Sequence, residues 1–412
     1  MCEYRSPQGG RGRGARIGFL LDVLNFFLAD VRGGLGPFVG VFLLTQAQWN
    51  AEEIGDVLTL SGLIGIAFHA PIGALVDATH AKRGLIVFGI GLLAASAVAI
   101  ERAPFTPVVL GADIVMALLG AVFAPTVAAI TLGVMHPSEL AERFGRNAVF
   151  DRVGNIFIAG VAGLVGWWFT QRAVFYLVPL FSIPAALAVL AIPGAAIRHD
   201  RARGLAQNQL EERPIAWRDL LLHDRPLFVL GGIAALFHFG NASMLPLVAQ
   251  KLALANPGAE TPWVSACILV AQFATIPAAM LVSAKADAWG RRPLLLAACA
   301  ALPLRGLIFA AATDPRLLVL AQVLDGFGGG MLDTLLPLIL ADIMRGTGRY
   351  NLARGILSTV QGIGGSVSNG IAGMLVVRAG YGPAFVVLSG AGAGALVLAF
   401  RQFVESRPAE RG

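Results

Sequence analysis

Apolar runs about twenty residues long follow one another along almost the whole chain, and no other feature constrains its fold as much. They fall at roughly 17–45, 55–76, 84–101, 107–134, 147–169 and 172–193, and again at roughly 227–250, 263–284, 293–312, 316–343, 354–377 and 383–403. A helix needs ~20 such residues to cross the ~30 Å hydrocarbon core of a bilayer. Of the 412 residues, 56% are apolar and 14% charged, and a water-soluble domain carries about 25% charged residues. A β-barrel is argued against, because its lumen-facing residues would dilute the apolar signal. The expected fold class is an all-α integral membrane protein, with twelve transmembrane helices in two six-helix bundles.

The two sets of runs flank a charged stretch at 194–226 that is too polar to cross a bilayer. The predicted organisation is an N-terminal bundle over 1–193, a cytosolic linker over 194–226 and a C-terminal bundle over 227–412. Within the linker, AWRDLLLHD has the pattern of a short amphipathic surface helix, with a plain connector as the other reading. The formal charge of +6 fits arginines at the cytosolic membrane face better than nucleic-acid binding. Arg5, Arg11, Arg13 and Arg16, then Lys82 and Arg83, then the linker arginines, then Arg401, Arg407 and Arg411 alternate with loops that are poor in basic residues. Both termini are therefore expected on the cytoplasmic side of the cell (inner) membrane. Cys2, Cys267 and Cys299 form neither a metal-ligand spacing nor a disulfide framework. No cofactor or metal is expected, and the first span is expected to act as its own insertion signal.

The halves repeat. GALVDATHAKRGL at Gly73–Leu85 resembles SAKADAWGRRPLL at Ser283–Leu295. A shift of 209 or 210 residues aligns Asp77 with Asp287, Arg83 with Arg292, Gly120 with Gly329, Met135 with Met344 and Gly163 with Gly373. Several matches at one shift, on either side of a polar linker, read as a duplicated six-span unit.

These residues resemble the major facilitator superfamily of secondary transporters, and most nearly its twelve-span drug/proton antiporter branch. The family signature is G-x-L-x-D followed by a basic pair. This chain has Gly73, Leu75, Asp77, Lys82 and Arg83, and its repeat has Asp287, Gly290, Arg291 and Arg292, with His80 in the first copy where the family has Gly. Asp77 falls at the C-terminal end of a helix, where the macrodipole is negative, so it calls for a cation or another helix's N-terminus. Arg143, Arg146 or Arg354 is expected as the cation, and the helix start near Asn351 as the alternative. The resemblance implies that such contacts form a cytosolic gate from Gly73, Asp77, Lys82, Arg83, Asp287, Arg291 and Arg292; fixing topology is the plainer reading. Two further family motifs are degenerate: Met116 replaces the fourth-helix arginine, and Ala159–Gly163 lacks the proline of the antiporter motif. Gly160, Gly163 and Gly166 still permit close helix packing.

Ionisable groups inside spans cost ~2.5–3.5 kcal/mol on insertion scales, so each calls for a partner or a function. The first span holds Asp22, Asn25, Asp30 and Arg32, followed by Gly33, Gly34, Gly36 and Pro37. Asp30 and Arg32 lie ~20 Å from the cytosolic end and point ~200° apart, so they cannot simply pair. They are the leading substrate-site candidates. His238 and Asn241 occupy the matching place in the seventh span. Asn25, Gln272 and Gln361 are candidate hydrogen-bonding groups, with helix packing as their other role. Arg305 is expected to pair with Asp325 or Asp333, leaving the other aspartate free for protons. The proton-coupling candidates are Asp30, Asp325, Asp333 and His238.

The leading function is a monomeric, proton-coupled secondary transporter working by alternating access. It moves a small charged or zwitterionic organic solute, and export is preferred over import. A proton symporter importing a small organic acid or metabolite, and a non-transporting receptor on the same fold, are the alternatives. An enzyme is not expected, because no Ser/His/Asp constellation, HExxH or phosphate-binding loop is present.

Overall fold

The computed structural model describes residues 8–33, 36–136, 139–198, 225–345 and 350–406; the side chains of 8–14, 30–33, 141 and 351 lie outside the description. The amphipathic stretch expected in the linker therefore falls outside the described residues.

In the first half the helices are α1 (Gln8–Gly33), α2 (Gly36–Thr45), α3 (Ala51–Ala78), α4 (Lys82–Arg102), α5 (Thr106–Val134), α6 (Leu140–Trp168), α7 (Gln171–Phe175) and α8 (Leu177–Ala191). In the second they are α9 (Arg225–Ala242), α10 (Met244–Ala255), α11 (Glu260–Trp289), α12 (Arg291–Ala311), α13 (Pro315–Leu320), α14 (Gln322–Ile343), α15 (Tyr350–Ala379) and α16 (Tyr381–Gln402). Among the described residues, 11 helices are long and apolar enough to cross a membrane, counting α7–α8, α9–α10 and α13–α14 as one span each. The run at 17–45 is divided between α1 and the short apolar α2. Large apolar side chains such as Phe88, Trp168, Phe228 and Phe400 face outward, as a lipid-solvated surface requires.

The repeat holds at the level of elements. A shift of 209 residues carries α4 onto α12, end to end, and carries α5 onto the stretch covered by α13 and α14.

Local chemistry sets the boundaries. Asn50 and Glu53 form a capping box ahead of α3: Asn50 Oδ1 accepts from the Glu53 N–H and Glu53 Oε2 from the Asn50 N–H, both at 2.9 Å. Asp314 accepts from the Arg316 N–H at 2.9 Å, with Pro315 at the first helical position of α13. The two copies of the loop motif turn differently. Gly290 at φ +91° passes directly from α11 to α12. The first copy has His80 in place of that glycine and takes three residues, 79–81, none of them at positive φ.

By contacts the chain falls into two compact units. The first comprises the described parts of Met1–Leu35, Ala67–Val165 and Phe169–Glu212. Within it α4 packs on α5 and α8, and α1 on α8 and α5. Gly154 of α6 lets that helix approach α1 so closely that a Cβ there would sit 2.1 Å from the Phe26 carbonyl oxygen. Of the glycines expected to do this, Gly160 faces open space, whereas a Cβ at Gly166 would sit 2.5 Å from the Thr261 side chain.

The second unit comprises Gly36–Ile66, Gly166–Trp168 and the described part of Arg213–Gly412. Its core joins Leu230, Ile233 and Phe237 of α9 to Leu295 and Leu302 of α12 and Phe385 of α16. Here α11 packs on α14, α12 on α14 and α16, α9 on α15 and α16, and α2 on α10.

Candidate functional site

In the first unit a polar network links α1, α5 and α6. Asp22 is 2% exposed and holds two guanidinium groups: Arg143 Nη2 bonds its Oδ1, and Arg146 Nη2 lies 2.7 Å from Oδ2. Arg143 also donates to the Gly18 carbonyl oxygen (3.0 Å) and to Asn147 Oδ1 (2.9 Å). Asn147 passes the chain on, donating to Thr131 Oγ1 at 3.1 Å. Arg143, Arg146 and Asn147 can act together because residues three and four apart share one helix face. Arg146 additionally stacks 5.5 Å over the Phe150 ring. Two arginines on one buried carboxylate leave the group one positive charge in excess.

A cavity of about 240 Å³ opens beside this network, lined by Asn25, Asn147, Asp151, Phe144 and Val127 among others. Asn25 is buried and donates to the Leu21 carbonyl oxygen at 2.7 Å. The backbone of α1 carries Asp30 and Arg32, whose side chains lie outside the described residues.

The second unit holds two polar groupings. His238 of α9 has Nδ1 2.9 Å from the Ala234 carbonyl oxygen and Nε2 3.3 Å from Gln361 Nε2 of α15. A carbonyl can only accept, so Nδ1 carries the proton and the Nε2 lone pair accepts from the Gln361 amide. The other grouping centres on Arg305 of α12, 1% exposed, whose Nη1 bonds Asp325 of α14. Its Nη2 donates to Asn241 Oδ1 at 2.7 Å, and its Nε lies 3.3 Å from the Met244 sulfur. Of the two aspartates expected to compete for Arg305, Asp325 has it. Asp333 lies two turns further along α14 and is exposed, and Gln272 of α11 is half-buried. Asn241, expected at the substrate site, is occupied by Arg305.

The loop-motif residues lie at the α3–α4 and α11–α12 turns. Asp77 is exposed and makes no hydrogen bond or ion pair among the described residues. The cations expected for it are engaged: Arg143 and Arg146 on Asp22, and Arg354 with the Tyr350 hydroxyl at 3.2 Å. Buried Asp22 lies on the face that these arginines present to α1. Lys82 is buried and donates to the Val76 and Thr79 carbonyl oxygens, capping α3. Arg83 donates to the Ile192 carbonyl oxygen (2.8 Å), and its counterpart Arg292 to that of Phe400 (2.7 Å). Each thus ties down the C-terminal end of the last helix in its own half, where a cation is favoured. Arg291 bridges Asp287 (2.7 Å) and Asp342 (3.0 Å), while Glu405 accepts from the Arg291 and Arg292 N–H groups. Gly73 has open space at its missing Cβ. Sequence reasoning missed the Asp22 network, although Asp22 in an apolar run and the i, i+3, i+4 set on α6 were both visible.

Membrane-length helices repeated at one shift, with charged groups paired inside each half, define a polytopic helical membrane protein built from a repeated unit. The chain belongs to the major facilitator superfamily, whose family model matches residues 21–304 and 227–412. It is 42% identical over 387 residues to the uncharacterized MFS-type transporter Rv2456c of Mycobacterium tuberculosis, covering 93% of this chain and 92% of that protein. A partial match, 33% identical over 170 residues, is to a multidrug resistance protein B homolog of Mycobacterium tuberculosis; it covers 39% of this chain and 30% of that protein. Among solved structures, a mutant of the nucleoside transporter NupG superposes with a TM-score of 0.79 at 13% identity, covering 94% of this chain and 100% of that chain. At that identity the likeness speaks for the fold alone.

Proposed function

We propose that the chain is a monomeric, proton-coupled secondary active transporter that moves a small charged or zwitterionic organic solute by alternating access. The observation that carries the substrate class is the unit-one cavity. Amides at Asn25 and Asn147, a carboxylate at Asp151 and the aromatic edge of Phe144 line it, beside a cluster with a surplus guanidinium charge. A solute bearing both signs finds complementary groups there.

In the first unit, Asp30 and Arg32 of α1 are proposed substrate-binding residues with Asn25; in the second, His238, Gln272 and Gln361 are proposed separately. Asp30, Asp325, Asp333 and His238 are the proposed proton carriers, Asp325 being the one that also pairs with Arg305. Export is supported by the name of the partial relative, a multidrug resistance protein B homolog. The arginine-rich loops support a cell (inner) membrane location with both termini cytoplasmic.

The test is purified protein in liposomes that enclose a pH dye, challenged with carboxylates, amino acids, sugars and cationic dyes. Expected is a solute-dependent proton flux, lost in Asp30→Asn, Arg32→Ala and Asp151→Asn. Solute movement without proton movement would reduce the chain to a facilitator, and no flux for any solute would overturn the transport reading.

A further inference from the structure

Within the second unit, a cavity of about 500 Å³ lies where the first turn of α9 meets the last turns of α14 and α16. Val229, Ile343 and Phe403 form its apolar wall, and Arg225, Arg401, Asp342 and Glu405 contribute charge. The two acids are already held. Asp342 accepts from Arg291 at 3.0 Å and from Arg345 at 3.4 Å. Glu405 accepts from the Arg291 and Arg292 N–H groups at 2.8 and 3.0 Å, which fixes the segment 403–406 against the start of α12. The two arginines are free. Arg225 and Arg401 are exposed, and neither bonds a carboxylate or a carbonyl among the described residues. Arg83 and Arg292, by contrast, each end on a helix carbonyl. Arg401 in the last turn of α16 complements the helix dipole, but its guanidinium donors stay open. Ser406 Oγ, in the same lining, is buried and has no hydrogen-bond partner among the described residues, a costly state for a hydroxyl.

We propose that this cavity binds a phosphate monoester, on the side that the arginine pattern assigns to the cytoplasm. The charge fits: two open guanidinium groups match the dianion, and their planar forks suit its oxygens. The Ser406 hydroxyl donates to a phosphate oxygen, which can only accept. The apolar wall of Val229, Ile343 and Phe403 takes the organic part of the ester. The volume falls in the range of small-molecule sites, ~300–1,000 Å³. Two sources carry this group: a soluble phosphate ester, and the headgroup of phosphatidic acid in the membrane leaflet. No residue lining the cavity belongs to the proposed substrate or proton set, so this site and the transport reading stand or fall separately.

The experiment uses the full chain purified in detergent, in two arms. In the first, phenyl phosphate and phenol are titrated by calorimetry. In the second, bound lipid is counted by native mass spectrometry with phosphatidic acid and phosphatidylcholine of the same acyl chains. At least one phosphate monoester is expected to bind about tenfold or more tightly than its control. Arg225→Gln and Arg401→Gln are each expected to weaken it about tenfold, the scale of one lost hydrogen bond to a charged group, and Ser406→Ala about threefold. Arg316→Gln, an exposed arginine at the start of α13 and outside the cavity lining, is expected to leave the affinity unchanged. If a glutamine variant fails to fold, Arg→Lys at that position, which keeps the charge and loses the fork, decides by the same readout. Binding in the first arm alone assigns a soluble ester, in the second alone a lipid headgroup, and in both the phosphate group itself. Binding of neither monoester above its control, or an affinity that neither arginine variant lowers, overturns the site.

Discussion

Arg305 shows what one side chain inside an apolar bundle requires. Its guanidinium finds Asp325, Asn241 and the Met244 sulfur, and stacks 5.7 Å over Phe309. Asp325→Ala therefore strands a buried cation, and the expected loss is about 3–5 kcal/mol of stability, read as a lower unfolding temperature in detergent. Arg305→Met with Asp325→Leu should recover most of it, because neither variant side chain needs a partner. The pair itself was half legible: Arg305 and two aspartates were visible in apolar runs, but the choice depended on which turn of α14 faces α12. The two candidates are eight residues apart, ~12 Å along the helix, so one guanidinium serves only one. Asp22 makes the converse case. With two arginines on it, Asp22→Asn should abolish flux in liposomes while Asp22→Glu retains part of it; equal activity of both would deny the network a role.

At the scale of elements, turn chemistry decides where helices stop. Gly290 sits at φ +91° between α11 and α12, and a Cβ there would also stand 2.4 Å from Glu405 Oε2. Gly290→Ala is expected to cost at least about 1–2 kcal/mol from backbone strain alone, measurable as a lower unfolding temperature. Introducing Gly at position 80 should be nearly neutral, since the first copy turns without positive φ. Most helix boundaries could be read in advance, because apolar length, proline and capping residues act locally. The division of the first span between α1 and α2 was signalled by Gly33, Gly34, Gly36 and Pro37. The hydrogen bonds of Thr59 to the Ser366 carbonyl and Gly370 N–H of α15 were not. Glycines at 55, 62, 370 and 373 carry no mark of their partners until α3 and α15 are side by side.

For the whole molecule, the arginine pattern predicts sidedness. Single cysteines placed at Gln46 and His80 should label from opposite faces of the membrane with an impermeant maleimide, the second only from the cytoplasmic side. Labelling of both from one side would reverse or void the proposed topology. The basic pairs contribute more than topology, however: Arg83 and Arg292 each cap the last helix of their own half. Arg83→Gln should therefore loosen the end of α8 and raise hydrogen exchange there.

Membrane class, span positions, duplication and family were determined by the sequence itself. Each rests on properties that add up along the chain, such as apolar length, charge alternation and a repeated motif. Which carboxylate each arginine holds, and which glycines let helices meet, only the tertiary structure decided. Those choices depend on directions around helix axes and on distances of a few ångströms between segments up to 307 residues apart, such as Thr59 and Ser366. A helix's rotation about its axis is settled by its neighbours' packing, not by its own residues.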